Sequence, residues 1–140
     1  MDIIHQHLED GFRKSLQQRK ASERRLGAEL KFPFVNNDGT AVAQEKVDRL
    51  WGYLEKNGWT PDRDSATGRI TGAHKAGPQN DTVASCETGY CKPEFSLAHV
   101  PTLQELEKEI AELKAELTPF ENETDTNFLC YGIQPVSPPS

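Results

Sequence analysis

Apolar side chains recur with different periods along the chain, and each period predicts an element. Over residues 3–22 they recur every four positions and form one narrow stripe, which predicts a helix. We expect a surface helix that covers a sheet rather than one that binds a partner. The stripe consists of Ile4, Leu8, Phe12 and Leu16.

Between residues 26 and 35 the period changes to two, which is typical of a strand with one core face and one charged face. Glu29 and Lys31 lie on the charged face. Turn residues then predict the end of this strand at residues 36–39. A second helix is predicted over residues 43–57. Its apolar face consists of Val47, Leu50, Trp51 and Leu54.

Two hairpins are predicted in the middle of the chain, a short one between residues 62 and 76 and a second over residues 82–98. If residues 88–91 form the second loop, Glu87 pairs with Lys92 and Ser85 with Glu94, and all four side chains share one face. Two carboxylates about 7 Å apart across a hairpin repel one another unless a positive charge lies between them. Lys92 or a divalent metal could supply that charge.

The last predicted helix begins at a capping box formed by Thr102 and Glu105. We expect its stripe to pack on the sheet face away from the carboxylates, with the first helix nearby. A final strand is predicted over residues 127–134, followed by a Pro/Ser-rich tail at 135–140. The stripe consists of Leu103, Leu106, Ile110, Leu113 and Leu117.

This order of elements predicts an α+β fold, with a largely antiparallel sheet and helices packed on one of its faces. The length of 140 residues suits a single domain. With 35% hydrophobic residues, no long apolar run and a net charge of -6, the chain is expected to be soluble, with no membrane and no nucleic acid among its partners. The N-terminus lacks the pattern of a signal or transit peptide, so we expect a cytoplasmic protein.

The cysteines Cys86, Cys91 and Cys130 are odd in number, which argues against a disulfide framework. His74 and His99 lie close enough in sequence to suggest a zinc site with Cys86 and Cys91. That signal is weak, because structural zinc sites usually show a tighter Cys-x-x-Cys spacing. We favour cysteines that pack as small hydrophobic residues.

Several segments, in order, resemble the N-terminal part of plant-type glutamate-cysteine ligase. Residues 87–96 are similar to its Glu-Pro-Gly-Gly-Gln-x-Glu-Leu-Ser element, and residues 132–135 to its Gly-x-Gln-Pro element. Residues 27–29 resemble its first-strand Gly-x-Glu. The chain departs from the family in having one additional residue between Glu87 and Glu94, and in having Lys31 where the family places a further acidic residue.

The resemblance implies a sheet that belongs to a cup related to glutamine synthetase, with Glu29, Glu87 and Glu94 as metal ligands. It also implies that ATP, with Mg²⁺ as cofactor, phosphorylates the side-chain carboxylate of glutamate, and that the amine of cysteine displaces phosphate. The product is γ-glutamylcysteine, made in the first step of glutathione biosynthesis. The resemblance assigns no catalytic side chain.

The family enzyme is longer, so residues 1–140 are expected to be a partial catalytic domain that is inactive alone and associates with a further C-terminal portion. One alternative is a non-catalytic remnant or interaction module with the same fold. Another is a different carboxylate-amine ligase. For the glutamates themselves, the competing interpretation is a solvated hairpin face paired with Lys92.

Overall fold

A computed structural model describes residues 3–21, 24–87, 89–131 and 136, with the backbone alone described for residues 17–21. The elements follow the chain in this order: α1 (Ile3–Ala21), β1 (Glu29–Lys31), β2 (Phe34–Asn36), α2 (Gln44–Lys56), β3 (Thr60–Arg63), β4 (Ile70–Lys75), β5 (Thr82–Cys86), β6 (Pro93–Ser96), α3 (Leu103–Thr124) and β7 (Thr126–Phe128). None of the helices formed by these residues combines the length and hydrophobicity that a membrane span requires.

Five strands form an antiparallel sheet in the order β1-β6-β5-β4-β3, and β2 pairs with β7 in a separate antiparallel ribbon. The predicted α+β class with a largely antiparallel sheet is therefore confirmed. β1 is an edge strand whose neighbour in the sheet, β6, lies more than sixty residues later in the chain.

The large sheet has one buried face, because residues that pair across neighbouring strands are apolar together. Leu30 pairs with Phe95, Phe95 with Ala84, and Ala84 with Ala73. The last three of these are fully buried. α2 packs against β3 and β4, while Trp59 and Lys75 contact Glu116 of α3. Both helices therefore cover the same side of the sheet, which we call the core face.

The strand predicted over residues 26–35 is in fact two strands. Proline has no N–H to donate to a sheet, and Pro33 separates β1 from β2. The backbone still follows the start of β6 and the loop before it, since Phe32 N donates to Pro93 O at 2.9 Å and Phe34 N donates to Cys91 O at 2.9 Å. β2 then leaves the large sheet and pairs with β7.

Hairpins form in both predicted regions, from β3 with β4 and from β5 with β6, but the first one begins at Thr60, before the predicted start at residue 62. In the second hairpin Ser85 pairs with Glu94, and Glu87 N donates to Lys92 O at 3.0 Å, so the predicted register is confirmed. The predicted final strand at 127–134 is shorter than expected, because β7 ends at Phe128. Residues 132–135, which carry the Gly-x-Gln-Pro element, lie outside the described residues, as does most of the tail.

α3 begins as predicted, with Thr102 Oγ1 accepting a hydrogen bond from Glu105 N at 3.2 Å. Its buried part lies further along the chain than expected: Leu113, Leu117 and Phe120 are buried, whereas Leu103 is 69% exposed. The prediction that the whole stripe packs on the core is therefore wrong for Leu103, whereas Leu106 is half-buried and packs against the core.

α1 forms where the period of four predicts it, but its apolar side chains stay exposed. Leu8, Phe12 and Leu16 are 55–72% exposed. The prediction that this helix covers the sheet is wrong. α2 and α3 already cover the core face, so the fold offers this stripe no buried surface there.

Candidate functional site

The face of the large sheet opposite the core face carries polar side chains, and we call it the open face. Across the strands, Lys31 pairs with Glu94, Glu94 with Ser85, and Ser85 with Gly72. Because side chains alternate along a strand, Glu29 and Ser96 lie on this face too. The apolar Val83 on the same face is 38% exposed.

Three glutamates converge at one corner of the open face. Glu29 comes from the edge strand β1, Glu94 from β6, and Glu87 from the residue after β5. These are the three glutamates that the sequence indicated, and the antiparallel order β1-β6-β5 brings them together. Their side chains are unequally exposed, at 63% for Glu29, 31% for Glu87 and 16% for Glu94.

The ammonium group of Lys31 lies between the three carboxylates. Its Nζ is 2.8 Å from Glu94 Oε2, 2.9 Å from Glu87 Oε1 and 3.7 Å from Glu29 Oε2. The sequence placed this lysine on the same face but gave it no role at the centre. We call Lys31 with Glu29, Glu87 and Glu94 the carboxylate cluster.

A second lysine pairs with one member of the cluster, as the hairpin register predicted. Lys92 Nζ lies 2.6 Å from Glu87 Oε2. This oxygen is buried and makes no hydrogen bond of good geometry with the described residues. The short distance between two opposite charges nevertheless makes it an ion pair. Ser96 Oγ donates to Glu94 Oε1 at 3.3 Å.

The two lysines change the acid-base properties of the cluster. The close contact with the ammonium of Lys92, and then the hydrogen bond from Lys31, lower the pKa of Glu87 below its ordinary value. Hydrogen bonds to Glu94 and then Glu87 raise the pKa of Lys31 above its ordinary value. Both groups are therefore held in their charged forms at neutral pH.

The cluster in this arrangement does not fit a magnesium ion. Magnesium binds carboxylate oxygens at about 2.0–2.1 Å, whereas the oxygens here lie 2.8–3.7 Å from a central ammonium nitrogen. A metal would have to displace Lys31 and draw the carboxylates inward. Within the described residues, no group of three or more His, Cys, Asp or Glu side chains has the arrangement of a metal site.

A close contact explains the glycine at the start of the Gly-x-Glu segment. A Cβ atom on Gly27 would lie 2.8 Å from Cδ2 of His99. Any larger residue would push the imidazole away from the chain just before β1. Gly27 therefore allows the backbone to approach His99 two residues before Glu29.

A second pair of titratable groups on the open face was missed from sequence. His74 Nδ1 lies 3.1 Å from Asp62 Oδ1, on β4 and β3 respectively. Gly72 lies beside them and places no side chain on this face. The spacing of Gly72 and His74 places both on one face of the strand. The low apolar content of this hairpin gave no basis for predicting which residue of β3 lies opposite His74.

Within the part of the chain that the structure describes, the cysteines join no group of side chains arranged to hold a metal. Cys91 is buried in the core, and Cys86 Sγ donates to Tyr90 O at 3.1 Å. Burial raises the pKa of the Cys86 thiol to about 11. This agrees with the interpretation of Cys86 and Cys91 as small packing residues. Cys130 is exposed.

Comparison with models of protein families gives no match, and comparisons with curated proteins and with solved structures give none either.

Proposed function

We propose that this chain carries the carboxylate-bearing sheet of an ATP-dependent carboxylate-amine ligase that joins glutamate to cysteine. The supporting observation is the convergence of Glu29, Glu87 and Glu94 on the open face, although they come from β1, from the residue after β5 and from β6. The resemblance to glutamate-cysteine ligases assigns the same three residues to the metal-binding face of a sheet. A cup like that of glutamine synthetase is part of this proposal.

In the proposed reaction, the side-chain carboxylate of glutamate attacks the γ-phosphorus of ATP, and ADP leaves. The amine nitrogen of cysteine then attacks the acyl carbon, phosphate leaves, and the nitrogen loses one proton. Such phosphoryl transfer needs positioning and neutralisation of charge more than it needs a protein nucleophile. Magnesium enters this scheme with the phosphates of ATP, which it commonly accompanies.

The open face is too exposed to water to form a complete active site by itself. Active sites for phosphoryl transfer exclude water, whereas Glu29 and Val83 on this face are 63% and 38% exposed. We therefore infer that the active ligase includes further polypeptide over this face. The 140-residue chain alone is expected to bind substrates and to form no γ-glutamylcysteine.

The proposal is tested by titrating ¹⁵N-labelled protein with glutamate and with MgATP while recording amide spectra. We expect shifts at β1, β5 and β6, and weaker binding in Glu94→Gln. The control is Glu116→Gln on α3, which should bind as the wild type does. Absence of shifts on the open face up to about 10 mM of either ligand, above the usual range of KM, would refute the proposal.

The amide shifts, together with assays of phosphate and product, separate the other candidates from the proposal. A second candidate function is a non-catalytic module, which is favoured by the position of Lys31 between the carboxylates. It predicts no ligand-dependent shifts and no product. A different carboxylate-amine ligase predicts phosphate release with an amine other than cysteine. Detection of γ-glutamylcysteine by mass spectrometry would exclude the non-catalytic module.

A further inference from the structure

We propose that the ammonium group of Lys31 is the resident cation of the carboxylate cluster and takes the place that a divalent metal ion would take. Its Nζ is within 2.9 Å of both Glu87 and Glu94 and is 3.7 Å from Glu29. The cluster is thereby held together without a metal. This inference rests on these contacts and not on the ligase activity.

Lys31 is the better candidate for this role than Lys92. Among the ion pairs of the described residues, Lys31 joins all three glutamates, whereas Lys92 pairs with Glu87 at the edge of the cluster. Lys31 is also fixed by pairing, since its backbone lies directly opposite Glu94 in the ladder between β1 and β6.

Charge balance shows what the ammonium contributes. Three carboxylates and two ammonium groups leave the site with one net negative charge. Without Lys31 the same carboxylates would keep only Lys92, and two net negative charges would remain in a small volume. Carboxylates placed so close repel one another, and a divalent cation would relieve that repulsion. Removing the ammonium should therefore open a site for a hard, oxygen-preferring ion.

The experiment compares the wild type with Lys31→Met, which keeps most of the length of the side chain and removes its charge. Manganese is the probe, because it accepts the same oxygen ligands as magnesium and its spin resonance reports binding. We expect Lys31→Met to bind Mn²⁺ at least about tenfold more tightly than the wild type, with a melting temperature that rises with Mn²⁺. The wild-type melting temperature should not respond.

Lys92→Met is the matched control, because it removes one positive charge from the same site and leaves Lys31 between the carboxylates. It should gain less affinity for Mn²⁺ than Lys31→Met. Adding Glu94→Gln to Lys31→Met should remove the gained affinity. Equal affinity of wild type and Lys31→Met, or equal gains in the two lysine variants, would overturn the proposal.

The wild-type protein provides a test that does not depend on a variant folding. Paramagnetic broadening by Mn²⁺ of the amide signals of Glu29, Glu94 and Ser96 in the wild type would show that the cluster binds a metal although Lys31 is present, and would overturn the proposal. If Lys31→Met folds only when Mn²⁺ is present, the proposal is supported. If it folds under neither condition, the wild-type spectra decide. Failure of the ligase test leaves each of these outcomes unchanged.

Discussion

Lys31 lies two residues after Glu29, so both side chains leave β1 on the same face. The sequence indicated this shared face, and the hairpin register brought Glu87, Lys92 and Glu94 together. The central position of Lys31 could not be predicted in the same way. It depends on the pairing of β1 with β6, which are distant in the chain, and no local pattern specifies that pairing.

The lowered pKa of Glu87 predicts a pH dependence of stability. Its ordinary value is 4.5, and the folded value lies below that because of Lys92 and Lys31. A depressed folded pKa contributes stability that is present above the unfolded pKa and is lost as the pH falls through the folded pKa. The free energy of unfolding of the wild type should therefore decrease between about pH 5 and pH 2. We expect a smaller decrease in Glu87→Gln, which lacks this titrating group.

Urea denaturation at a series of pH values measures this dependence. Glu107→Gln is the control, because it removes one negative charge from an exposed position on α3. It should retain the acid sensitivity of the wild type. Identical pH profiles for the wild type and Glu87→Gln would show that the two lysines do not stabilise this carboxylate in solution.

At the scale of elements, the features that depend on residues close together in the chain were predicted correctly. The register of the hairpin from β5 to β6 was predicted correctly, because alternation and a Gly-containing turn are encoded within a few positions. The period of four in α1 correctly predicted a helix. That period specifies an apolar face and not the surface that covers it, so the expected packing on the sheet was wrong.

α3 illustrates the same limit within one helix. Its apolar residues continue from Leu103 to Phe120, but full burial begins only at Leu113 and Leu103 is exposed. We expect Leu117→Ala to lower the free energy of unfolding by about 2–5 kcal/mol, since this side chain is buried. Leu103→Ala, the same change at an exposed position, should cost less than about 0.5 kcal/mol.

Chemical denaturation of the two variants measures the difference. Because both substitutions remove the same atoms from the same helix, any effect on helix propensity largely cancels. Similar losses in both would mean that the first turns of α3 are covered in solution by another part of the protein or by a second molecule.

At the scale of the whole molecule, the sheet separates two kinds of surface. The core face packs against α2 and α3, whereas the open face carries the carboxylate cluster at one corner and Asp62 with His74 towards the other edge. The fold class followed from the order of elements. The alternation of side chains shows that a strand has two faces, but it does not show which face the helices cover. That depends on how α2 and α3 pack against the sheet.

Adjacent residues on β6 test this division, because Phe95 points to the core face and Ser96 to the open face. Phe95 is fully buried, with its ring centroid 6.1 Å from that of Trp59. We expect Phe95→Ala to cost about 3–5 kcal/mol and Ser96→Ala to stay within about 0.5 kcal/mol of the wild type. Urea denaturation provides both values. A loss above about 2 kcal/mol for Ser96→Ala would be too large for one half-buried hydroxyl with a single long hydrogen bond to Glu94, and would mean that the open face is packed against something in solution.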